Sequence, residues 1–222
     1  MQFTFGIITG GSPNIENVIQ SIIKQGIHEY EIIVVGGENI PNVKHISFDE
    51  NQRKRWITKK KNLITQNAKY NNIVYMHDYI ALADNWYDGF LEFGDDWDIC
   101  MTKMVNKNWS RFRDWTLWPH DVSDIFQNKS HALLPYNVGW MQSYMYISGA
   151  YWVAKKHVME QEPLNERLLW GQSEDVEWSF RIRNKYRYVM NPKSTVKLLK
   201  RKEPKFGLVT EEDMKVVMKL KK

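Results

Sequence analysis

FTFGIITGGSPNIENVIQSIIKQGIHEYEIIVVGG, residues 3–37, sets two apolar, β-branched runs on either side of a helical pattern. FTFGIIT (3–9) predicts a buried strand, and Gly10-Gly11-Ser12-Pro13-Asn14 breaks it. In IENVIQSIIKQ (15–25), Ile15, Val18, Ile19, Ile22 and Ile23 recur at helical spacing. Asn14 is placed to cap that helix and Gly26 to stop it. EIIVVGG (31–37) predicts a second buried strand. A strand, a helical crossover and a strand imply a parallel pair.

The alternation continues outward from this unit. VKHISF (43–48) reads as a shorter third strand, and RWITKKKNLITQNAK (55–69) as a Lys-rich helix. NIVYMHD (72–78) is a strand that ends in a polar pair. Asp84 to Phe93 is helical in pattern, with Trp86, Phe90 and Leu91 on its apolar face, and WDICMTKM (97–104) is another strand. Residues 105–140 hold Trp109, Trp115, Trp118 and Trp140 without a clear period. Such a stretch inside a compact domain predicts a functional loop, a lid or a small antiparallel insertion. MYISGAYWVAKKHVME (145–160) predicts a strand, a Gly-Ala corner and a helix. Ser173 to Lys185 predicts a helix, YRYVM (186–190) a closing strand, and Thr210–Leu220 a weak helix. Strands and helices in alternation argue for an α/β domain.

Bulk properties narrow the classes. A chain of 222 residues with 43% hydrophobic residues suits one sizeable domain, or one domain with an appendage. The formal charge is +5, and much of the excess lies late: Lys197, Lys200, Arg201, Lys202, Lys205, Lys215, Lys219, Lys221 and Lys222. That end reads as a solvated face or a linker toward further sequence, with nucleic acid, phosphate or an anionic membrane as the other options. No helix-turn-helix, zinc-finger or RNA-recognition signature supports the nucleic-acid option. The lone cysteine, Cys100, excludes a disulfide framework and a cysteine metal site within one chain. No run reaches the ~18 apolar residues that span a bilayer, and no leader pattern opens the chain. A soluble, intracellular (cytoplasmic) protein without a transmembrane segment is expected.

In an open α/β sheet, ligands sit beyond the carboxyl ends of the strands. Those ends carry Thr9-Gly10-Gly11, Gly36-Gly37-Glu38-Asn39 and His77-Asp78-Tyr79, and later loops add 145–150 and 170–175. The glycine pairs permit close backbone approach to a nucleotide, and tight turns explain them equally well. Neither a P-loop nor a G-x-G-x-x-G is present. Glu38 suits a base N–H or a ribose hydroxyl, or is an exposed loop acid. Asp78 is placed to hold a hard divalent cation, with His77 as second ligand or orienting group, or it merely caps a turn. Asp96-Trp97-Asp98 is a literal D-x-D, but it opens a strand and so belongs to the opposite face. Of Lys59, Lys60 and Lys61, at most two can face a phosphate, because consecutive helix residues fan out by about 100°. The others are expected in solvent. In GQSEDVEWSFRIR (171–183), Ser173 is placed to cap a helix whose first turn holds Glu174 and Asp175. The helix dipole there favours their charge, so the pattern permits an ordinary helix start or a catalytic base. Arg181 can pair with Glu177 at i,i+4.

Together these stretches resemble the GT-A-fold, family-2-like glycosyltransferases over about residues 1–192. Residues 1–37 look like that family's opening β-α-β. Lys61-Asn62 and Ala68 match its A-R-N helix, with Lys in the Arg position. IVYMHDYI (73–80) matches the strand that carries the metal motif, and ISGAYWVAKK (147–156) resembles the acceptor-side strand and helix. ERLLWGQSEDVEWSFRIR (166–183) resembles the late segment ending in Glu-Asp. The short form and the Lys/Asn/Ile-rich composition are also similar to capsid-glycan transferases of large algal viruses. In the D-x-D position stands His77-Asp78-Tyr79, with a single acid.

The resemblance implies a mostly parallel sheet flanked by helices, with a smaller antiparallel portion on the acceptor side. It implies a nucleotide-sugar-binding half at 1–104 and an acceptor-side half at 105–203, followed by a basic tail or linker at 204–222. It implies sugar transfer from a nucleotide-diphosphate donor, a UDP-sugar in the first instance, to a hydroxyl of a glycan or glycoprotein. Thr9, Gly10, Gly11, Glu38, Lys61, Asn62, His77 and Asp78 would meet the donor, and Asp78 would hold Mn²⁺ or Mg²⁺. Asp175 would deprotonate the acceptor in an inverting reaction, and Glu174 would hold the acceptor or the donor sugar. Gly149, Trp170 and Gly171 would line the acceptor side, and Trp109, Trp115, Trp118 and Trp140 would stack on sugars. The alternative is a nucleotide-sugar- or carbohydrate-binding module without catalysis.

Overall fold

The computed structural model describes residues 1–117, 132–139, 144–200, 202, 207–208 and 215. Its main sheet starts from β1 (Phe3–Ile8), with every residue buried. Helix α1 (Ile15–Ile23) crosses over to β2 (Tyr30–Val35), which runs parallel to β1. Strand β3 (Lys44–Ile46) extends that edge in parallel. After α2 (Ile57–Asn67), strand β4 (Asn72–His77) pairs in parallel on the other side of β1. The parallel crossover read from residues 3–37 is therefore present. Continuous burial along β1 and β4 fits strands covered on both faces, which is why they read as apolar runs.

The remaining strands are β5 (Ile80–Leu82), β6 (Ile99–Val105), β10 (Tyr151–Lys155) and β11 (Tyr188–Leu198). The order across the sheet is β3-β2-β1-β4-β10-β6-β11-β5. Strand β10 runs antiparallel between β4 and β6, β11 is parallel to β6, and β5 closes the edge antiparallel. Strands from both sequence halves thus interleave in one sheet. Helices α3 (Trp86–Phe93), α4 (Lys156–Gln161) and α5 (Glu174–Ile182) complete the layers. A second, small sheet joins β7 (Thr116–Leu117) antiparallel to β8 (Ala132–Leu133) and to β9 (Met145–Tyr146), with β12 (Gly207–Leu208) beside β8. The irregular stretch is therefore, where described, an antiparallel insertion. Buried Asp114 anchors it to β6: its Oδ2 accepts from Met104 N at 3.2 Å and Tyr136 Oη at 2.7 Å, and its Oδ1 from Arg111 Nη2 at 2.7 Å.

Some expectations are corrected. The closing strand extends to Leu198, well beyond residue 190, around an irregularity between Asn191 and Thr195. Strand β5 follows β4 after a turn too short to read from periodicity. Asn14 makes no side-chain cap bond, so backbone donors alone start α1. Asp96-Trp97-Asp98 does sit at the opposite end: Asp98 Oδ2 accepts from Arg187 N at 2.8 Å, and Asp96 pairs with the Arg187 side chain. The helix expected at 210–220 lies outside the described residues, Lys215 excepted. Among the described residues, no helix is long and apolar enough to cross a membrane.

The core is aromatic under α3. Phe3, Phe5, Trp86 and Phe90 meet at centroid distances of 4.7–5.5 Å, tilted or edge-on. Trp86 is fully buried, and its Nε1 donates to Tyr151 Oη at 2.8 Å. Tyr151→Phe should leave that indole donor unsatisfied and cost about 1–3 kcal/mol. Urea unfolding checks this: the midpoint should fall while the slope stays unchanged.

Candidate active site

The carboxyl ends of β1, β2 and β4 lie side by side because their registers are parallel and aligned. Thr9 Oγ1 donates to Asp78 Oδ2 at 2.7 Å and accepts from Gly11 N at 3.0 Å and Ser12 N at 3.3 Å. One hydroxyl thus folds the loop after β1 and fixes the carboxylate after β4. Gly36, with φ +88°, passes so close that a Cβ would fall 2.5 Å from Thr9 O. Lys60 Nζ donates to the same carbonyl at 2.6 Å and pairs with Glu50.

A second group of residues forms around the corner between β9 and β10. Gly149 N donates to Asp175 Oδ2 at 2.9 Å, and Gly149 O accepts from Lys61 Nζ at 2.8 Å. A Cβ at Gly149 would lie 2.9 Å from Asp175 Oδ2 and 3.0 Å from Glu174 Oε1, so the glycine lets both carboxylates sit this close to the corner. Arg113 Nη2 approaches Asp175 Oδ2 at 3.5 Å and Tyr146 Oη at 3.2 Å. Burial pushes the Glu174 carboxyl above its ordinary range; Lys61 opposes that shift and Asp175 adds to it. Burial brings the Lys61 ammonium down to about 8, against the pull of Glu174 and Asp175. For Glu174, then, desolvation outweighs the expected helix-dipole effect. Ser173 stands at the N-cap position read from sequence, its carbonyl accepting from Glu177 N at 2.9 Å, but it takes φ 58° and its side chain makes no cap bond.

Two cavities open on these groups. One, of 750 Å³, is lined by Thr9, Gly10, Asp78, Lys60, Lys200 and Arg55 among others. The other, of 300 Å³, is lined by Gly149, Gly171, Ser173, Glu174, Asp175 and Arg113 among others. His77, Tyr79, Trp170 and Lys202 line both, so the cavities adjoin. Asp78 and Asp175 face neighbouring spaces in one cleft.

The residues around Asp78 do not fit a resident divalent ion. Among the described residues there is no group of three His, Cys, Asp or Glu side chains able to hold one. Asp78 supplies a single carboxylate, already accepting from Thr9. Burial pushes the His77 imidazole well below its ordinary value, and the positive charges of Lys61, Lys202 and Lys200 push it further. Those ammonium groups would repel a second cation.

No protein-family model matches the chain, and no curated protein matches it in sequence. Solved structures match it in fold. S. aureus TarS 1-349 in complex with UDP-GlcNAc gives a TM-score of 0.64 at 14% identity, covering 91% of this chain and 60% of that one. The same TarS fragment in complex with UDP gives 0.60 at 15%, covering 99% and 64%. GalNAc-T7 with UDP, GalNAc and Mn²⁺ gives 0.64 at 15%, covering 92% and 44%. This is the GT-A fold. The chain spans less than two thirds of each of those structures.

Within this GT-A frame the expected residues divide. Thr9, Gly10, His77 and Asp78 line the larger cavity, and Gly149, Gly171, Glu174 and Asp175 the smaller, while Trp170 lines both. Gly11 caps Thr9 from an exposed position, and Glu38 is exposed and lines neither cavity. Lys60 and Lys61 are both buried, not solvated; Lys59 pairs with Glu166. Asn62 is turned away from the cleft: its Nδ2 donates to Leu164 O at 2.9 Å and Glu166 Oε1 at 3.0 Å, and its Oδ1 accepts from Leu164 N at 3.0 Å. Trp115 is fully buried, with Nε1 bonded to Val138 O at 2.9 Å, so it stacks on no sugar. Trp109 is 63% exposed under Lys197, and lines neither cavity. Trp118 and Trp140 lie outside the described residues. Glu177 and Arg181 do pair, at 3.0 Å.

Sequence reasoning missed Arg113, Tyr79, Lys200 and Lys202 as lining residues. The two lysines were merged into a basic tail, and Arg113 sits in a stretch without period. Asn62→Ala should destabilise the protein by about 1–3 kcal/mol by stranding the Leu164 backbone groups. Thermal melts should drop, while affinity for any ligand of the cleft changes less than threefold.

Proposed function

We propose that the protein transfers a sugar from a nucleoside-diphosphate donor to an acceptor hydroxyl, with inversion and with Asp175 as general base. The adjoining cavities carry this reading. The larger offers the turns after β1 and β4, with cations from around the start of α2 and from the chain after β11, suited to a nucleotide and its phosphates. The smaller presents two carboxylates to whatever enters from the other side. Matched structures that hold UDP or UDP-GlcNAc support a UDP-sugar as donor. A hydroxyl of a glycan or glycoprotein is the acceptor placed opposite the two carboxylates of the smaller cavity.

The chemistry follows from these groups. The acceptor oxygen attacks the anomeric carbon as the bond from that carbon to the diphosphate oxygen breaks. The acceptor proton passes to a carboxylate oxygen of Asp175. Gly149 N–H and Arg113 hold that carboxylate in place. Glu174 is positioned beside it to accept from a sugar hydroxyl. A divalent cation, where one is bound, would supply charge to the leaving diphosphate; the described donor set does not fit one, and no step here depends on it.

Asp175→Asn keeps an acceptor for Gly149 N–H and should fold. It should lose about 10²- to 10⁴-fold in turnover while donor affinity changes little. Release of nucleoside diphosphate from a panel of UDP-, GDP- and dTDP-sugars, with and without acceptor glycans, measures this. Near-normal turnover would remove Asp175 from the role. Binding of a donor by the parent protein with no release above background would make it a binding module instead.

Lys61 supplies the positive charge that favours ionised Glu174. In Lys61→Met that carboxyl should protonate at higher pH still. The acid limb of the pH–rate profile should therefore move upward, with less change on the alkaline side. An unmoved acid limb would show that Glu174 ionisation does not govern turnover.

A further inference from the structure

Two ammonium groups converge on one ring beside Asp78. Lys200 Nζ lies 4.0 Å from the Tyr79 ring centroid and Lys202 Nζ 4.3 Å from it. Lys202 Nζ also donates to Tyr79 Oη at 2.7 Å. Their placement is built into the backbone. Leu199 N donates to Tyr79 O at 2.8 Å, and Lys202 N to Asn106 Oδ1 at 3.3 Å. The chain leaving β11 is thereby pinned across the end of β4. Among the described residues neither lysine has a carboxylate partner. Both line the larger cavity, together with Lys54, Arg55 and Lys60. The two carboxylates on that lining are already engaged, Glu50 with Lys60 and Asp78 with Thr9.

Like charges gathered on one cavity lining repel, and an anion bound against them relieves that repulsion. We propose that Lys200 and Lys202, seated on Tyr79, hold the donor diphosphate and neutralise its charge on departure, in the place where a divalent ion would otherwise sit. The identity of the anion rests on the transfer reading above; the cation pair itself does not. The arrangement explains why a single acid suffices after β4: no ion has to be caged there. Lys202 also lines the smaller cavity, so it stands at the join where the sugar–phosphate bond would lie. Arg55 stacks on Trp170 at 5.0 Å and extends the positive lining.

Calorimetry on the full chain tests this with two probes, UDP and inorganic pyrophosphate, each in EDTA and in MnCl₂. Both should bind in EDTA, with Mn²⁺ changing the affinity less than threefold. Lys200→Ala and Lys202→Ala should each weaken both probes at least tenfold, with melting temperatures close to the parent's. Lys200→Arg should stay within threefold, since the charge is kept. Binding that requires Mn²⁺, binding unaffected by either alanine, or no binding of either probe would overturn the proposal. The two readings separate cleanly. Lysine-dependent pyrophosphate binding in EDTA without turnover of any sugar nucleotide would leave the anion site standing and remove the transferase. Turnover that needs Mn²⁺ and ignores both lysines would do the reverse.

Discussion

The peptide at Gly149 is held from both sides, and the cleft depends on that clamp. Its N–H is taken by Asp175 and its C=O by Lys61. The next residue accepts from the backbone of His77 at 3.1 Å through Ala150 O. Three elements remote in sequence, α2, β4 and α5, are thereby fixed to one corner. Without a Cβ at Gly149, both acids of α5 come close to its backbone, where a Cβ would meet their carboxylate oxygens at 2.9 and 3.0 Å. Desolvating them has a consequence: a buried ammonium from α2 is needed beside them, and it sits where Trp152 offers its face at 4.6 Å.

Charge in the cleft is arranged as two fields that meet at His77 and Tyr79. Cations dominate the side beyond β1, β4 and β11, whereas the side beneath α5 sets Glu174 and Asp175 against Arg113 and Lys202. A molecule with an anionic diphosphate at one end and hydroxyls at the other matches that polarity along its length. Of the residues shared by the two cavities, His77 is held neutral by burial and the nearby lysines and the Tyr79 phenol is held protonated by burial, while Lys202 brings a positive charge to the join.

Legibility in the sequence followed the range of the interactions. Strands β1, β2 and β4, the crossover α1 and the late acids were readable because buried runs and helical spacing are local signals. Asp78 and Asp175 could be placed at strand and helix ends for the same reason. Asn62 and Trp115 were misjudged because their partners, Leu164 and Val138, are distant in the chain. Lys60 and Lys61 looked like a solvated run, and only the Thr9 and Gly149 carbonyls explain their burial.

By itself, then, the sequence determined the element order, the parallel opening unit, and which strand ends would carry chemistry. Periodicity and turn residues encode these within a few positions of one another. The tertiary structure alone decided that β10 enters antiparallel between β4 and β6, that the corner at Gly149 meets α5, and that the chain after β11 returns over Tyr79. Those contacts join residues 26 to 120 positions apart. Their energy comes from burial and hydrogen bonding that exist only once the sheet has closed, so no local pattern could announce them.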